Sequence, residues 1–217
     1  SDLASPFGRL NNFCLTFRGH FKKCLAVVFE GMKSIWSCFS NLKCGSGGRA
    51  AAALLGMVMQ GHGSVLPILG QRSGHYADSQ RFTGFSTEMA ESFPDIRVLH
   101  PECSFLDESL AERIAMRAIQ SDSELRGIYL TSAGREGVYR AVHAAHRSEK
   151  LHIVVHDITE GNIKMVKNGT VDFIIGQDVK TQGTLPIRLL YDYLERHQFP
   201  RKRMNMTDIT IKFRGNV

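Results

Sequence analysis

The sequence predicts an α/β fold, a mostly parallel sheet with helices on both faces. Three observations predict it. Helical and strand patterns alternate at regular spacing after a glycine-rich break, implying βαβ units. Some strand patterns are short continuous apolar runs, as in strands covered on both sides. The helical patterns are amphipathic, with one packing face and one wet face.

The break falls at Cys44-Gly45-Ser46-Gly47-Gly48. Beyond it, helical patterns come near 49–60, 76–92, 107–120, 135–147, 160–168 and 181–196. Strand patterns come near 64–69, 96–100, 127–131, 151–156, 171–176 and 207–213. Gly61-His62-Gly63 precedes the first strand and reads as a turn. Leu106, Leu110, Ile114 and Ala118 repeat every fourth residue and give the third helix its packing face. Ile153-Val154-Val155 and Phe173-Ile174-Ile175 are the apolar runs of two covered strands. Pro186 interrupts the last helical pattern and predicts a kink or a delayed start.

Residues 1–47 form an atypical basic segment rich in Cys and Phe, and 48–217 the α/β lobe, with 180–197 turned toward a further lobe. In the first segment Phe13, Phe17, Phe21, Leu25, Val28, Met32, Trp36 and Phe39 follow spacings of three or four. That stripe reads as packing or as a surface for a membrane or partner. Gly19 and Gly31 each cost a continuous helix about 1 kcal/mol relative to Ala.

The net charge of the 217 residues is +6, but it is unevenly placed. Residues 1–49 carry Arg9, Arg18, Lys22, Lys23, Lys33, Lys43 and Arg49 against Asp2 and Glu30. The remainder is nearly neutral and offers no broad phosphate-binding face. Arg201-Lys202-Arg203 reads as a solvated loop. No apolar run approaches the roughly 18 residues of a membrane span, and the first residues lack the order of a secretory signal. Cys14, Cys24, Cys38 and Cys44 crowd the start without a C-x-x-C pair, which gives a zinc site little support. Reduced thiols in a cytoplasm are the expectation.

Enzyme motifs are missing. There is no Gly-x-Ser-x-Gly elbow, phosphate-binding Gly-x-x-x-x-Gly-Lys loop, His-Glu-x-x-His helix or Gly-x-Gly-x-x-Gly after a strand. A non-enzymatic role without cofactor or metal is expected. His143 and His146, three apart on a helix, read as an exposed face before a metal pair, and His152 and His156 as ordinary polar residues flanking a strand.

In such folds ligands bind beyond the carboxyl ends of the strands. The loops there are Gly70–Ala77, Ser132–Arg135, His156–Glu160 and Gln177–Thr181. Their order carries a resemblance. Gly48-Arg49-Ala50-Ala51-Ala52, Arg81-Phe82-Thr83-Gly84-Phe85, Ser132-Ala133-Gly134, Val155-His156-Asp157-Ile158-Thr159, and Val171–Gln177 with Asp178 and Gln182-Gly183 follow one another as in LacI-type (lactose-repressor-type) regulators. The chain resembles the periplasmic-binding-protein-like (type I) effector domain of that family, mainly its C-terminal lobe. Ser1-Asp2-Leu3-Ala4-Ser5-Pro6 resembles the hinge before that lobe, with 7–47 as an insertion and the N-terminal lobe largely missing.

The resemblance implies a sugar site. Uncharged hydroxyls are best met by planar groups with fixed donors and acceptors. Arg81 is implied to clamp the sugar, Asp157 to accept from hydroxyls, and Gln177 to contribute from the crossover. Ser132 stands where many relatives have Asn, His75 and Tyr76 offer a wall, and Asp2 matches a hinge contact. Each residue also has a plainer reading. Arg81 could pair with Asp78 or Glu88, and Asp157 and the Gln177-Asp178 pair could cap helices.

The function implied is sugar sensing by a transcriptional regulator, a cytoplasmic homodimer reading DNA through a headpiece outside this chain. Two alternatives stand beside it: a solute-binding protein of a sugar ABC transporter, and an interaction module working through 7–44.

Overall fold

The computed structural model describes residues 44–71, 76–146, 151–196, 198 and 208–217. Asp2, His75, the stripe at 13–39, residues 7–43 of the predicted insertion 7–47 and the cluster 201–203 lie outside them. The chain divides into two compact units, Ser1–Leu42 with Val179–Thr207 and Lys43–Asp178 with Asp208–Val217.

The larger unit runs α1 (Cys44–Val58), β1 (Ser64–Leu69), α2 (Tyr76–Ser92), β2 (Arg97–Val98), β3 (Glu102–Cys103), α3 (Glu108–Ser121), β4 (Leu125–Leu130), α4 (Arg135–Ala144), β5 (His152–His156), α5 (Glu160–Lys167), β6 (Phe173–Gln177) and β7 (Ile209–Lys212). All strands join one sheet in the order β2-β1-β4-β5-β6-β7, with β3 also on β1. Every pairing is parallel except β6 with β7. The predicted mostly parallel sheet is the observed one, and the antiparallel β7 makes it mixed.

Strand side chains alternate between two cores, as the period of two requires. Val65, Tyr129, Val154 and Ile175 meet Ala51, Ala52 and Leu55 of α1 and Phe85 and Met89 of α2. Leu66, Ile68, Ile128, Leu130, Ile153, Val155 and Ile174 meet Ala111, Ile114 and Ala115 of α3, Val138, Ala141 and Val142 of α4, and Met165 and Val166 of α5. The result is three layers, with two helices on one face and three on the other.

Several expectations change. The glycine-rich break is helical, because α1 already spans Gly45–Gly48. Its glycines serve contact: a Cβ on Gly48 would stand 1.9 Å from the Arg81 carbonyl oxygen, and one on Gly84 2.0 Å from that of Gly45. The strand expected at 96–100 is two short bridges flanking Pro101, which has no N–H to donate to a ladder. Leu106 is not in the packing face of α3. It is exposed with φ 65°, ahead of the N-cap Asp107, whose side chain accepts from Leu110 N at 2.6 Å.

In the smaller unit the described element is α6 (Val179–Arg196). It starts earlier than expected and continues through Pro186. Leu185, Leu189, Leu190 and Tyr193 form its partly buried stripe. Among the described residues no helix is long and apolar enough to cross a membrane.

The contact between α1 and α2 makes a paired prediction. Gly84→Ala forces the helices apart and should lower the urea-unfolding stability by about 1–3 kcal/mol, the range of overpacked cores. Gly45→Ala meets nothing closer than 3.7 Å and should cost nothing measurable.

Candidate ligand site at the carboxyl ends of the strands

Parallel strands bring their carboxyl ends to one rim. Gly70 follows β1, Ser104 to Leu106 follow β3, Thr131 and Ser132 follow β4, Asp157 follows β5, and Gln177 ends β6. The α2 helix begins at the same rim with Tyr76, so Asp78 and Arg81, three apart, share one face of its first two turns.

Arg81 is 5% exposed. A guanidinium cannot lose its charge and must be paired when buried. It donates through Nη1 to the Thr131 carbonyl and through Nη2 to Asp157 Oδ1 at 3.2 Å. The Thr131 hydroxyl donates to Asp78 Oδ1 at 2.8 Å, and Thr131 N–H continues the sheet to Ile68 O at 3.0 Å. Three elements are thereby tied at one point. The Asp157 side chain remains 53% exposed, against 7% for that of Arg81, so the carboxylate is the solvent-facing end of the pair.

Glu88 and the cap of α5 are taken by other residues. Glu88 accepts instead from Arg49 and from Ser92, each at 2.8 Å. The α5 cap is Thr159, whose side chain accepts from Asn162 N. Asp157 precedes that cap with φ 71°, a left-handed conformation that its short polar side chain tolerates.

Ser132 joins the same cluster. A Cβ placed on Gly70 would lie 2.8 Å from Asp78 Oδ2 and from Leu106 Cδ2, and 2.9 Å from Ser132 Cβ. Tyr76 is 49% exposed at the start of α2. Gln177 ends the strand beside β5, two residues past Ile175, whose carbonyl accepts from Asp157 N at 2.9 Å. Arg81 and Asp157 therefore touch, Ser132, Asp78 and Leu106 surround Gly70, and Tyr76 and Gln177 share the rim.

Two features escaped sequence reasoning. The first is a set of exposed apolar groups in the carboxyl-end loops: Phe105, Leu106 and Ile158 are exposed, as is Tyr76 at the start of α2, and Phe105 and Leu106 both have positive φ. Their signal was two adjacent apolar residues ahead of a helix cap at a carboxyl-end loop. The second is His156, which is no ordinary polar flank. It is buried, its Nε2 shares a 2.8 Å hydrogen bond with the Tyr129 hydroxyl, and Tyr129 stacks on Phe85 at 4.3 Å. Burial, then the charge of Arg81, push its pKa well below the ordinary 6.5, so it is neutral. His152 instead meets Asp172 at 3.2 Å. Among the described residues no group of three His, Cys, Asp or Glu could hold a metal ion.

Charged donors and acceptors beside exposed apolar groups suit a small polar ligand with both hydroxyls and C–H faces. The profile of the family described as periplasmic binding protein domain matches residues 45–198. The chain belongs to that family. Solved structures agree with this periplasmic binding protein domain. A glucose-galactose binding protein from Geobacillus stearothermophilus superposes with TM-score 0.74 at 19% identity, over 81% of this chain and 62% of that one. The sugar-binding protein of a sugar ABC transporter from Bacillus halodurans gives 0.72 at 25%, over 81% and 64%. An ABC transporter solute-binding protein from Agrobacterium vitis gives 0.73 at 24%, over 79% and 57%. The chain thus spans about three fifths of the length of these proteins. No curated protein matches it in sequence.

The buried imidazole makes the domain acid-sensitive. In the unfolded chain His156 titrates near 6.5 and takes up a proton as pH falls through that value, while the folded chain does so only at a lower pH. This group costs nothing above about pH 7. Below 6.5 it removes up to ~1.4 kcal/mol of stability per pH unit. Urea unfolding at pH 7 and pH 5 should show that loss, and His156→Gln should reduce it.

Proposed function

We propose that this domain binds a sugar, as part of a solute-binding protein serving a sugar ABC transporter. The observation that carries the reading is the Arg81–Asp157 pair, buried at the cation and open at the carboxylate, set in a rim that also holds Tyr76, Phe105, Leu106 and Ile158. Asp157 accepts from hydroxyls, Arg81 holds the carboxylate in place and donates to ring or hydroxyl oxygens, and the apolar groups cover C–H faces. Ser132 and Gln177 add neutral polar contacts. The rim forms one wall, and closure of a second wall over the ligand follows from differential affinity for the closed state.

The similar solved proteins support the transporter-type reading over the regulator. Besides those above, they include an ABC transporter periplasmic solute-binding protein from Actinobacillus succinogenes with bound D-allose, while the Agrobacterium vitis protein holds α-D-tagatopyranose. The order of motifs from Gly48 to Gly183 supports the second reading, the effector domain of a LacI-type regulator. That reading carries with it a homodimer, DNA contact through a headpiece, and a cytoplasmic location. Fractionation of cells making the full-length protein separates the two: export is expected under the first, and cytoplasmic protein retained on DNA under the second.

Calorimetric titration with D-allose, D-arabinose, D-tagatose, D-glucose and D-galactose tests the sugar itself. Arg81→Ala and Asp157→Ala should each weaken binding by about 10- to 100-fold, the effect of losing charge-assisted hydrogen bonds. Equal binding by both variants, or no binding of any of these sugars, would contradict the proposal.

A further inference from the structure

Asn162 lies in the first turn of α5, 2% exposed. Its Nδ2 donates to two consecutive backbone carbonyls, His156 O at 2.9 Å and Asp157 O at 2.6 Å. These flank the peptide where β5 turns away from the sheet. Asp157 has φ 71° there, a conformation that side-chain-bearing residues leave unless the surroundings hold them. Thr159 N–H also donates to Asp157 O, at 3.1 Å, and Asp157 N–H donates to Ile175 O.

The orientation of the amide follows from its partners. Both neighbours are acceptors, so the NH2 group must face them, and rotation by half a turn would oppose three oxygens. Asn162 Oδ1 is buried without a hydrogen-bond partner among the described residues. The two carbonyl acceptors therefore fix the placement of this amide through its NH2 group. Leucine has the same shape and no donors. Aspartate would set an oxygen against the two carbonyls.

We propose that Asn162 is the positioning residue of the candidate site: its buried amide holds the left-handed turn that aims the Asp157 carboxylate at Arg81. The role rests on the sugar-binding reading for its purpose and on the geometry alone for its mechanism. Asn162 itself does not reach the ligand. It acts through Asp157, whose backbone would otherwise relax toward negative φ and swing the carboxylate off the Arg81 Nη2 atom.

Amide hydrogen exchange and the nitrogen resonances of the Arg81 guanidinium, read on the full chain, test this. Asn162→Leu is compared with Val166→Ala, a core truncation on the same helix (Val166 is 1% exposed) that leaves the turn untouched. In Asn162→Leu the Asp157 and Thr159 amides should exchange about tenfold faster relative to the Thr131 amide, the size expected for local opening after loss of a buried bond. The Arg81 Nη2 resonance should move as it does in Asp157→Ala and stay in place in Val166→Ala. Exchange raised equally at all three amides, or an Arg81 signal that moves no more than in Val166→Ala, would overturn the proposal. Neither measurement needs a ligand, so a failure of the wild-type chain to bind sugar would count against the proposed function and leave this result standing.

Discussion

The desolvated charge of Arg81 is the constraint from which the rest of this domain follows. A guanidinium held out of water needs every available acceptor, and here the acceptors come from two other strand ends, the Thr131 carbonyl and the Asp157 carboxylate. Each brings structure with it. Thr131 passes the link to Asp78 through its hydroxyl. Asp157 requires a left-handed turn, and that turn requires its own donors. The imidazole of His156, lying beneath, stays neutral because burial and the neighbouring cation both oppose its protonation. The candidate site is thus a set of mutually dependent polar groups, where removing one strands another.

Backbone packing makes that network possible. The two glycines that let α1 and α2 touch through their main chains, Gly48 and Gly84, lie within three residues of Gly45 and Arg81. Arg81 itself is buried, and exclusion of water gives each of its hydrogen bonds more weight. The parallel topology contributes the other half. Because β1, β4, β5 and β6 run the same way, their terminal loops meet at one rim, the place where open α/β sheets take ligands.

Much of this could be read from the sequence where the signal is local. The bounds of β1 and α2 match the patterns at 64–69 and 76–92 because alternation and amphipathicity are properties of short windows. Reading fails where the cause lies elsewhere in the chain. Glycines at 45–48 look like a linker until α2 is seen packed on them. Leu106 fits a helical stripe by spacing and leaves it because Asp107 caps the helix after it. His156 looks like a polar end of a strand, and its burial depends on Tyr129 and Gly47 from other elements. Arg81 and Asp157, 76 residues apart, could be named by resemblance, but their pairing is a product of the sheet order. The apolar rim of Phe105 and Ile158 has no periodicity to announce it.

The most direct measurement is a nuclear magnetic resonance titration of the isotope-labelled chain with D-allose, D-arabinose and D-tagatose, recording which signals move. The account predicts the largest shifts at Gly70, Phe105, Leu106, Thr131, Ser132, Asp157 and Ile158, with little change at the opposite end of the sheet around Gly63, Glu124 and Asp172. Shifts concentrated at that opposite end, or on the outer face of α3, would contradict it.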